Sequence, residues 1–442
     1  MAPSESFKVP SSILIVGSGV FGLSTAWSLC KNPLFENTSI TLVDRQPFPC
    51  PDGSSIDTSR IVRPDYADAA YTSLASSAQA LWRTTFAPSF YHENGLCITA
   101  SGLEQTYVSS SYDNVCALGS CRVQKLKNEE EIKQVCGTER ASGTVGYVNW
   151  SSGWADAEGS MCWLCKQVEA RNRVHFITDT VKKLVIDHST NTVAGVQLTS
   201  NTTLTAALTI LAAGAWTPSL LDLRGIAKAT GQVLIYLPLT STEQAHLGSL
   251  PTILNLSTGL FAIPPSHNLL KIARHGYGYT NPVTIPHPTS TNSSETITIS
   301  LPHTHIDNRT QCVPSEGLTS CLSFLSHIHP TLSTRSIQSS RICWYTDTPT
   351  GDFLITHHPT FKGLFVATGG SGHAFKFLPV IGDKIVECVM GRTPDEFKGR
   401  WEWPEKRVSD EEWVGDGSRG GPVGMVLQEE TEKGALERGS KL

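Results

Sequence analysis

Apolar residues open the chain as a short unbroken run, Ile13 to Val16, pass through the glycine turn Gly17 to Gly22, and continue along an apolar helical stretch to about Cys30. A polar loop then leads to a second run, Ser39 to Val43, ending at Asp44. Runs of this length bounded by turn residues suit buried strands, so the pattern predicts a β-α-β start. Further on, VKKLVID and TVAGVQLT flank the turn residues His188 to Asn191, and a third run leads into TILAAGAWT. That reads as an antiparallel excursion returning to a parallel sheet. A last strand, GLFVATGG, precedes a helical segment from Lys384 to Met390.

These pieces lie far apart, which predicts a first domain built from three separate segments, 10–85, 150–225 and 341–400. A second domain is inserted as 86–149 and 226–340, and the latter, rich in Thr, Ser, Pro and β-forming residues, reads as largely antiparallel sheet. After Trp403 the chain turns polar and glycine-rich, so 404–442 is expected to be a loosely ordered tail.

Composition narrows the class. With 442 residues and 39% hydrophobic content the chain buries a sizeable core, and 40 acidic against 35 basic residues leave no basic footprint for nucleic acid. The apolar stretches at the amino terminus and around Thr203 to Trp216 are too short or too broken to span a bilayer. The twelve cysteines are scattered and read as reduced thiols. Cys162 and Cys165 form a C-x-x-C, but on a helical pattern with no second ligand pair, so packing and not a metal is expected there. The Asn-x-Ser/Thr triplets at Asn149, Asn201 and Asn255 add nothing without a secretory route.

The stretch Gly17-Ser18-Gly19-Val20-Phe21-Gly22 fits G-x-G-x-x-G between a strand and a helix. The first glycine permits the turn, the second lets a pyrophosphate approach the backbone, and the third packs helix on strand. The helix start then offers N–H groups and partial positive charge to phosphates, and Asp44 stands where a carboxylate accepts ribose hydroxyls. The fingerprint does not separate NAD from FAD.

Three further blocks, IDTSRIVRPDY at 56–66, RICWYTDTPTGDFLI at 341–355 and ATGGSGHAFKFLPVIG at 367–382, join GSGVFG, GWADAEG and LAAGAWT. Together they resemble the covalent flavin amine oxidases of the D-amino-acid-oxidase type, typified by monomeric sarcosine oxidase, pipecolate oxidase, fungal saccharopine oxidase and fructosyl amino acid oxidase. The resemblance implies an α/β protein with a Rossmann-like FAD-binding domain of the glutathione-reductase type and an inserted, largely antiparallel substrate domain. It implies FAD joined as a thioether to Cys343, with Arg60 stabilising negative charge on the ring, and a cofactor shell of Gly17 to Gly22, Asp44, Arg45, Ser59, Arg60, Gly370, Gly372, His373 and Lys376. Arg63 and Lys376 match a pair that clamps a substrate carboxylate. Lys271 matches a flavin-facing lysine that favours electron transfer to oxygen, and His275 stands where fructosyl-substrate oxidases carry an acid, which argues against a sugar-amine substrate.

The implied reaction is oxidation of the C–N bond of a secondary-amine amino acid to an imine, with oxygen reduced to hydrogen peroxide and the imine left to hydrolyse or to close a ring. The alternatives are a dehydrogenase passing electrons to a carrier, a fructosyl amino acid oxidase, or a nucleotide-binding module without chemistry. Ser440-Lys441-Leu442 matches a peroxisomal address read by an import receptor, a compartment suited to a peroxide producer. The expected partners are the amine, oxygen and that receptor, with no nucleic acid and no membrane, around a monomer.

Overall fold

The computed structural model describes residues 7–308, 313–409, 412–413 and 415–439. A six-stranded sheet carries the amino-terminal pattern, in the order Leu354–His357, Leu364–Thr368, Leu208–Leu211, Ser12–Val16, Ser39–Asp44, Val174–Thr178. All neighbours are parallel except the first pair. The apolar run Ile13 to Val16 lies at the centre, buried on both faces. Ile13 and Ile15 face the helices Val20–Lys31, Ala157–Glu169 and Leu378–Val389, whereas Leu14 and Val16 face a three-stranded antiparallel sheet of Val181–Asp187, Thr192–Leu198 and Thr203–Thr205. Alternate strand residues point to opposite faces, so a strand covered on both sides is apolar throughout.

A second sheet of ten strands combines both inserted segments. Its path is Met425–Val426, Tyr279–Thr280, Lys228–Pro238, Leu269–Arg274, Leu260–Ser266, Thr252–Asn255, Leu96–Ala100, Val145–Asn149, Val123–Leu126, with Ser339–Asp347 pairing antiparallel to Lys228–Pro238. Most pairs are antiparallel, but Thr252–Asn255 runs parallel to Leu96–Ala100, and Met425–Val426 parallel to Tyr279–Thr280.

Three expectations need correction. The boundary placed at residue 341 falls inside the strand Ser339–Asp347, which belongs to the larger sheet. The helix expected from Lys384 begins at Leu378, because Pro379 sits in its first turn, where the missing N–H costs nothing. The described part of 404–442 is not a loose tail: Ser418 and Met425 are buried, and a helix spans Leu427–Gly439. Its polar residues are ordered by partners. Arg419 donates to the Gly276 carbonyl at 2.7 Å, to the Ser371 carbonyl at 2.9 Å and to Asp347 at 2.5 Å. Ser440-Lys441-Leu442 lies outside the described residues. Among the described residues no helix is long and apolar enough to cross a membrane, and no group of His, Cys, Asp and Glu is arranged to hold a metal.

Candidate active site

The first strand delivers the chain into Gly17, whose φ of +104° and approach to the Ala212 carbonyl oxygen, 2.5 Å from any added Cβ, both require glycine. At Gly22 a Cβ would stand 1.8 Å from the Gly17 carbonyl oxygen, so the helix packs on the loop only without one. Gly19 caps that helix with no side-chain bond and no acidic residue in the first turn, so the helix itself supplies no carboxylate to offset its partial positive charge. Val20 N–H meets the Ser55 hydroxyl at 3.0 Å. Asp44 folds back on the turn, accepting from Ser18 N–H at 2.7 Å and from the Ser18 hydroxyl at 2.5 Å. Arg45 pairs with the buried Asp52 and lies 4.4 Å from the ring centroid of Trp216. Gly17 to Phe21, Asp44, Arg45 and Ser55 line a cleft of about 1350 Å³ that runs past Ala213 to Arg60, Tyr345, Gly370 and Gly372, whereas Gly22 lies behind it against Gly17.

A second cavity, about 560 Å³, shares Arg60, Tyr345, Gly372 and Phe375 with the first. Its wall brings together Arg63, Lys271, His275, His373 and Lys376, with Leu254, Phe261 and Ile263 as the apolar side. Ser59 lines neither cavity, but its carbonyl accepts from Lys271 at 2.8 Å. Cys343 is also buried off both cavities, with its Sγ 3.4 Å from Arg60 Nη2.

The two lysines are held differently. Lys271 Nζ donates to Asp57 Oδ2 at 2.6 Å, the same oxygen that accepts from Arg60 Nη1 at 2.6 Å, while Arg341 stands 3.6 Å away. Tyr236 donates to the other oxygen at 2.7 Å. Burial works against the Asp57 carboxylate, yet Lys271, Arg60 and Arg341 together hold it well below the usual carboxylate range. One carboxylate does not offset three cations, and guanidinium groups do not give up their protons, so the lysine yields. Burial pushes the Lys271 ammonium down to about 7, against the pull of Asp57 and with Arg60 and Arg341 adding to the fall.

Lys376 donates to the Tyr66 hydroxyl and to the His373 carbonyl, both at 2.7 Å. The His373 ring meets Gly351 carbonyl oxygen through Nε2 at 2.9 Å, so Nε2 carries the proton and Nδ1 accepts from Tyr66, also at 2.9 Å. Burial, with Arg63 adding, pushes the Lys376 ammonium well below its ordinary value. Arg63 lies 4.8 Å from the Tyr66 ring centroid, and its Nη1 is buried with no hydrogen-bond partner among the described residues. Its sequence neighbour Asp65 is already occupied by Tyr147, Asn149 and Ser152. Burial and then Arg419 hold the His275 imidazole well below its ordinary value, and its Nε2 meets the Ser418 hydroxyl at 3.3 Å.

Several residues here escaped the sequence reading. Asp57 and Tyr66 sit inside the 56–66 block already singled out, and the acid three positions before Arg60 was a usable signal. Arg419 and Ser418 come from the glycine-rich segment, whose composition gave none.

A family model described as FAD dependent oxidoreductase (DAO) matches residues 12–388. The chain belongs to this family. Among its relatives, amino acid oxidase fsqB of Aspergillus fumigatus is 30% identical, covering 88% of this chain and 94% of that protein. L-saccharopine oxidase of Schizosaccharomyces pombe is 31% identical over 91% of this chain and 95% of its own. The crystal structure of fructosamine oxidase from Aspergillus fumigatus (Amadoriase II) superposes with a TM-score of 0.81 at 26% identity, covering 94% of this chain and 95% of that one.

As an FAD dependent oxidoreductase, the protein has in the larger cleft a fitting cradle for the cofactor. At Gly19 an added Cβ would meet only the Ser55 hydroxyl, so the chain leaves room there for a phosphate to approach the backbone, and the helix start at Val20 lines the same cleft. Gly17 to Phe21, Asp44 and Arg45 would hold the nucleotide, while Arg60, Tyr345 and Gly372 mark the end that opens on the second cavity.

Proposed function

We propose that the protein is an FAD-dependent oxidase of an amino acid with a secondary amine, converting its C–N bond to an imine and oxygen to hydrogen peroxide. The observation that carries this reading is the buried Nη1 of Arg63, without a partner, in a cavity it shares with Lys376. An unpaired buried donor is costly unless a ligand completes it, and a carboxylate matches the fork of a guanidinium. Lys376 has spent two of its three protons on Tyr66 and the His373 carbonyl, which leaves one for the same anion.

Bound FAD would supply the hydride acceptor and the route by which electrons reach oxygen. The residues of this chain do the rest. Arg63 and Lys376 fix the carboxylate, and the apolar side formed by Leu254, Phe261 and Ile263 excludes water from the reacting carbon. Lys271, held by Asp57 and the Ser59 carbonyl, places a positive charge where oxygen takes up electrons. Arg60 faces the Cys343 sulfur, the position at which we place a thioether to the flavin.

A fructosyl amino acid oxidase is a second reading, favoured by the structural likeness to fructosamine oxidase. The neutral His275, in place of an acid, speaks against sugar recognition. Peroxide release under air from a panel of N-alkyl amino acids, their methyl esters and fructosyl-glycine tests the assignment. Turnover of the free N-alkyl acids alone supports it; turnover of fructosyl-glycine alone, or reduction of an artificial carrier without peroxide, overturns it. We also read Ser440-Lys441-Leu442 as a peroxisomal address; a fluorescent fusion ending in residues 404–442 that stayed cytosolic would remove that reading.

A further inference from the structure

Asp57 lies where the cations of the two cavities meet, and it touches neither cavity. Its carboxylate is fully buried between the segment leading to Arg60–Val62 and the larger sheet. From that sheet, Lys271 comes from Leu269–Arg274, Tyr236 from Lys228–Pro238 and Arg341 from Ser339–Asp347. The two oxygens divide the work. Oδ2 accepts from Lys271 and Arg60, both at 2.6 Å, while Oδ1 accepts from Tyr236 at 2.7 Å and from the Thr58 N–H at 2.8 Å. Oδ1 is thus anchored by groups that carry no charge, which keeps Oδ2 aimed at the two cations.

We infer that Asp57 is a positioning residue for the reaction proposed above, keeping Lys271 charged and aimed and bracing Arg60 against the sulfur of Cys343. The inference rests on that reading for the roles of Lys271 and Cys343, but its geometry is independent of any ligand. Without the carboxylate, Lys271 would face Arg60 and Arg341 with no counter-charge in a dry site, and the ammonium is the only one of the three that sheds its proton readily. Its value is already pushed down to about 7 with Asp57 present, so loss of the acid would leave it neutral at pH 7. Arg60 would keep its bonds to the Ser54 carbonyl, at 2.7 Å from Nη2 and 3.3 Å from Nε, but lose the charged contact at Nη1 that holds the other arm of the fork while Nη2 faces Sγ. Tyr236, Arg341 and Arg60 are the other titratable or charged groups around the pair, and the first is neutral, raised by burial and by Asp57.

The test compares FAD-loaded wild type with Asp57→Asn, Asp57→Glu, Lys271→Met and the double variant Asp57→Asn/Lys271→Met. Two readouts are taken: the rate constant for oxygen reacting with the substrate-reduced protein as a function of pH, and the fraction of flavin that stays on the polypeptide after acid denaturation, followed in time from apoprotein and FAD. Asp57→Asn should move the pH midpoint of the oxygen step down by at least one unit, a loss of rate of about fivefold at pH 7 that approaches tenfold at higher pH, and Asp57→Glu should recover most of it. An unmoved midpoint in Asp57→Asn, with the profile flattened in Lys271→Met, overturns the inference. A profile that Lys271→Met leaves unchanged removes instead the role proposed for Lys271, and the attachment arm then decides the case for Arg60. If Asp57→Asn does not fold, the double variant removes both members of the pair. Attachment at least tenfold slower than in Lys271→Met supports the brace on Arg60, and equal attachment overturns it.

Discussion

Lys271 and Lys376 are buried to similar degrees, with 1% and 5% of their surface exposed, and both border the same cavity. Lys271 sits 2.6 Å from a carboxylate. Lys376 bonds only a hydroxyl and a carbonyl, and it shares its surroundings with an arginine whose Nη1 has no partner. The difference separates two uses of a buried cation. A charge compensated by the fold is a fixed part of the wall, available whether or not a ligand is present. A charge left uncompensated is paid for only when an anion arrives, so its cost to the free protein becomes selectivity for that anion.

The sharpest way to break this contrast is by stability. Asp57→Ala should cost about 3–5 kcal/mol in denaturant unfolding, because it leaves Arg60 and Arg341, which keep their protons, without their shared counter-charge. Lys376→Met should be neutral or stabilising in the apoprotein, since it removes a buried cation that has no carboxylate partner among the described residues. Equal losses in the two variants would mean that both lysines are compensated to the same degree, and the distinction would fall.

The next effect is on binding. Arg63→Met or Lys376→Met should weaken a competitive carboxylate inhibitor by about 1.5–3 kcal/mol, the range for hydrogen bonds to charged groups, read from perturbation of the flavin spectrum. Lys271→Met should leave that affinity within a factor of a few, because its ammonium is already committed to Asp57. Unchanged inhibitor affinity in both clamp variants would sink the carboxylate assignment.

A smaller effect, but a more specific one, follows from pH. The Lys271 ammonium titrates near 7, below the value of about 10.4 for an unfolded lysine. Below pH 7 Lys271 is charged, and above it neutral, so the oxygen step should slow as pH rises through 7. Because the unfolded chain binds this proton up to about 10.4 and the folded one does not, the lysine's contribution to stability also becomes more favourable between those two values. Lys271→Met should flatten the wild-type profile of the oxygen step.

What the chain disclosed in advance follows the same division. The glycine turn and Asp44 were legible because the strand, turn and helix that make the cradle are neighbours in sequence, and the positive φ of Gly17 and the packing of Gly22 on Gly17 are local. The pairing of Lys271 with Asp57, 214 residues apart, has no local signature. Asp57 lies in a block that drew attention to its arginines, and nothing in the block says which cation its carboxylate meets. The segment after Trp403 misled for a physical reason: glycines and polar residues describe disorder only when their hydrogen bonds go to water. Here Arg419 spends its donors on Gly276, Ser371 and Asp347 instead.

The smallest expected change in stability carries a decisive chemical readout. Cys343 is buried beside Arg60, on the compensated side of the site, so Cys343→Ala should cost only about 1 kcal/mol, typical of a single substitution that leaves no charge unpaired. The variant should still fold and take up FAD, because the glycine turn and the helix start that would hold the phosphates lie on the other sheet. In wild type, the yellow chromophore should stay with the polypeptide after acid denaturation, and a tryptic peptide containing Cys343 should carry its mass. In Cys343→Ala the flavin should separate completely. Flavin retained by the variant would place the bond on another cysteine. Flavin lost from denatured wild type would mean that the short approach of Arg60 to this sulfur serves packing of the Asp57 cluster and not attachment.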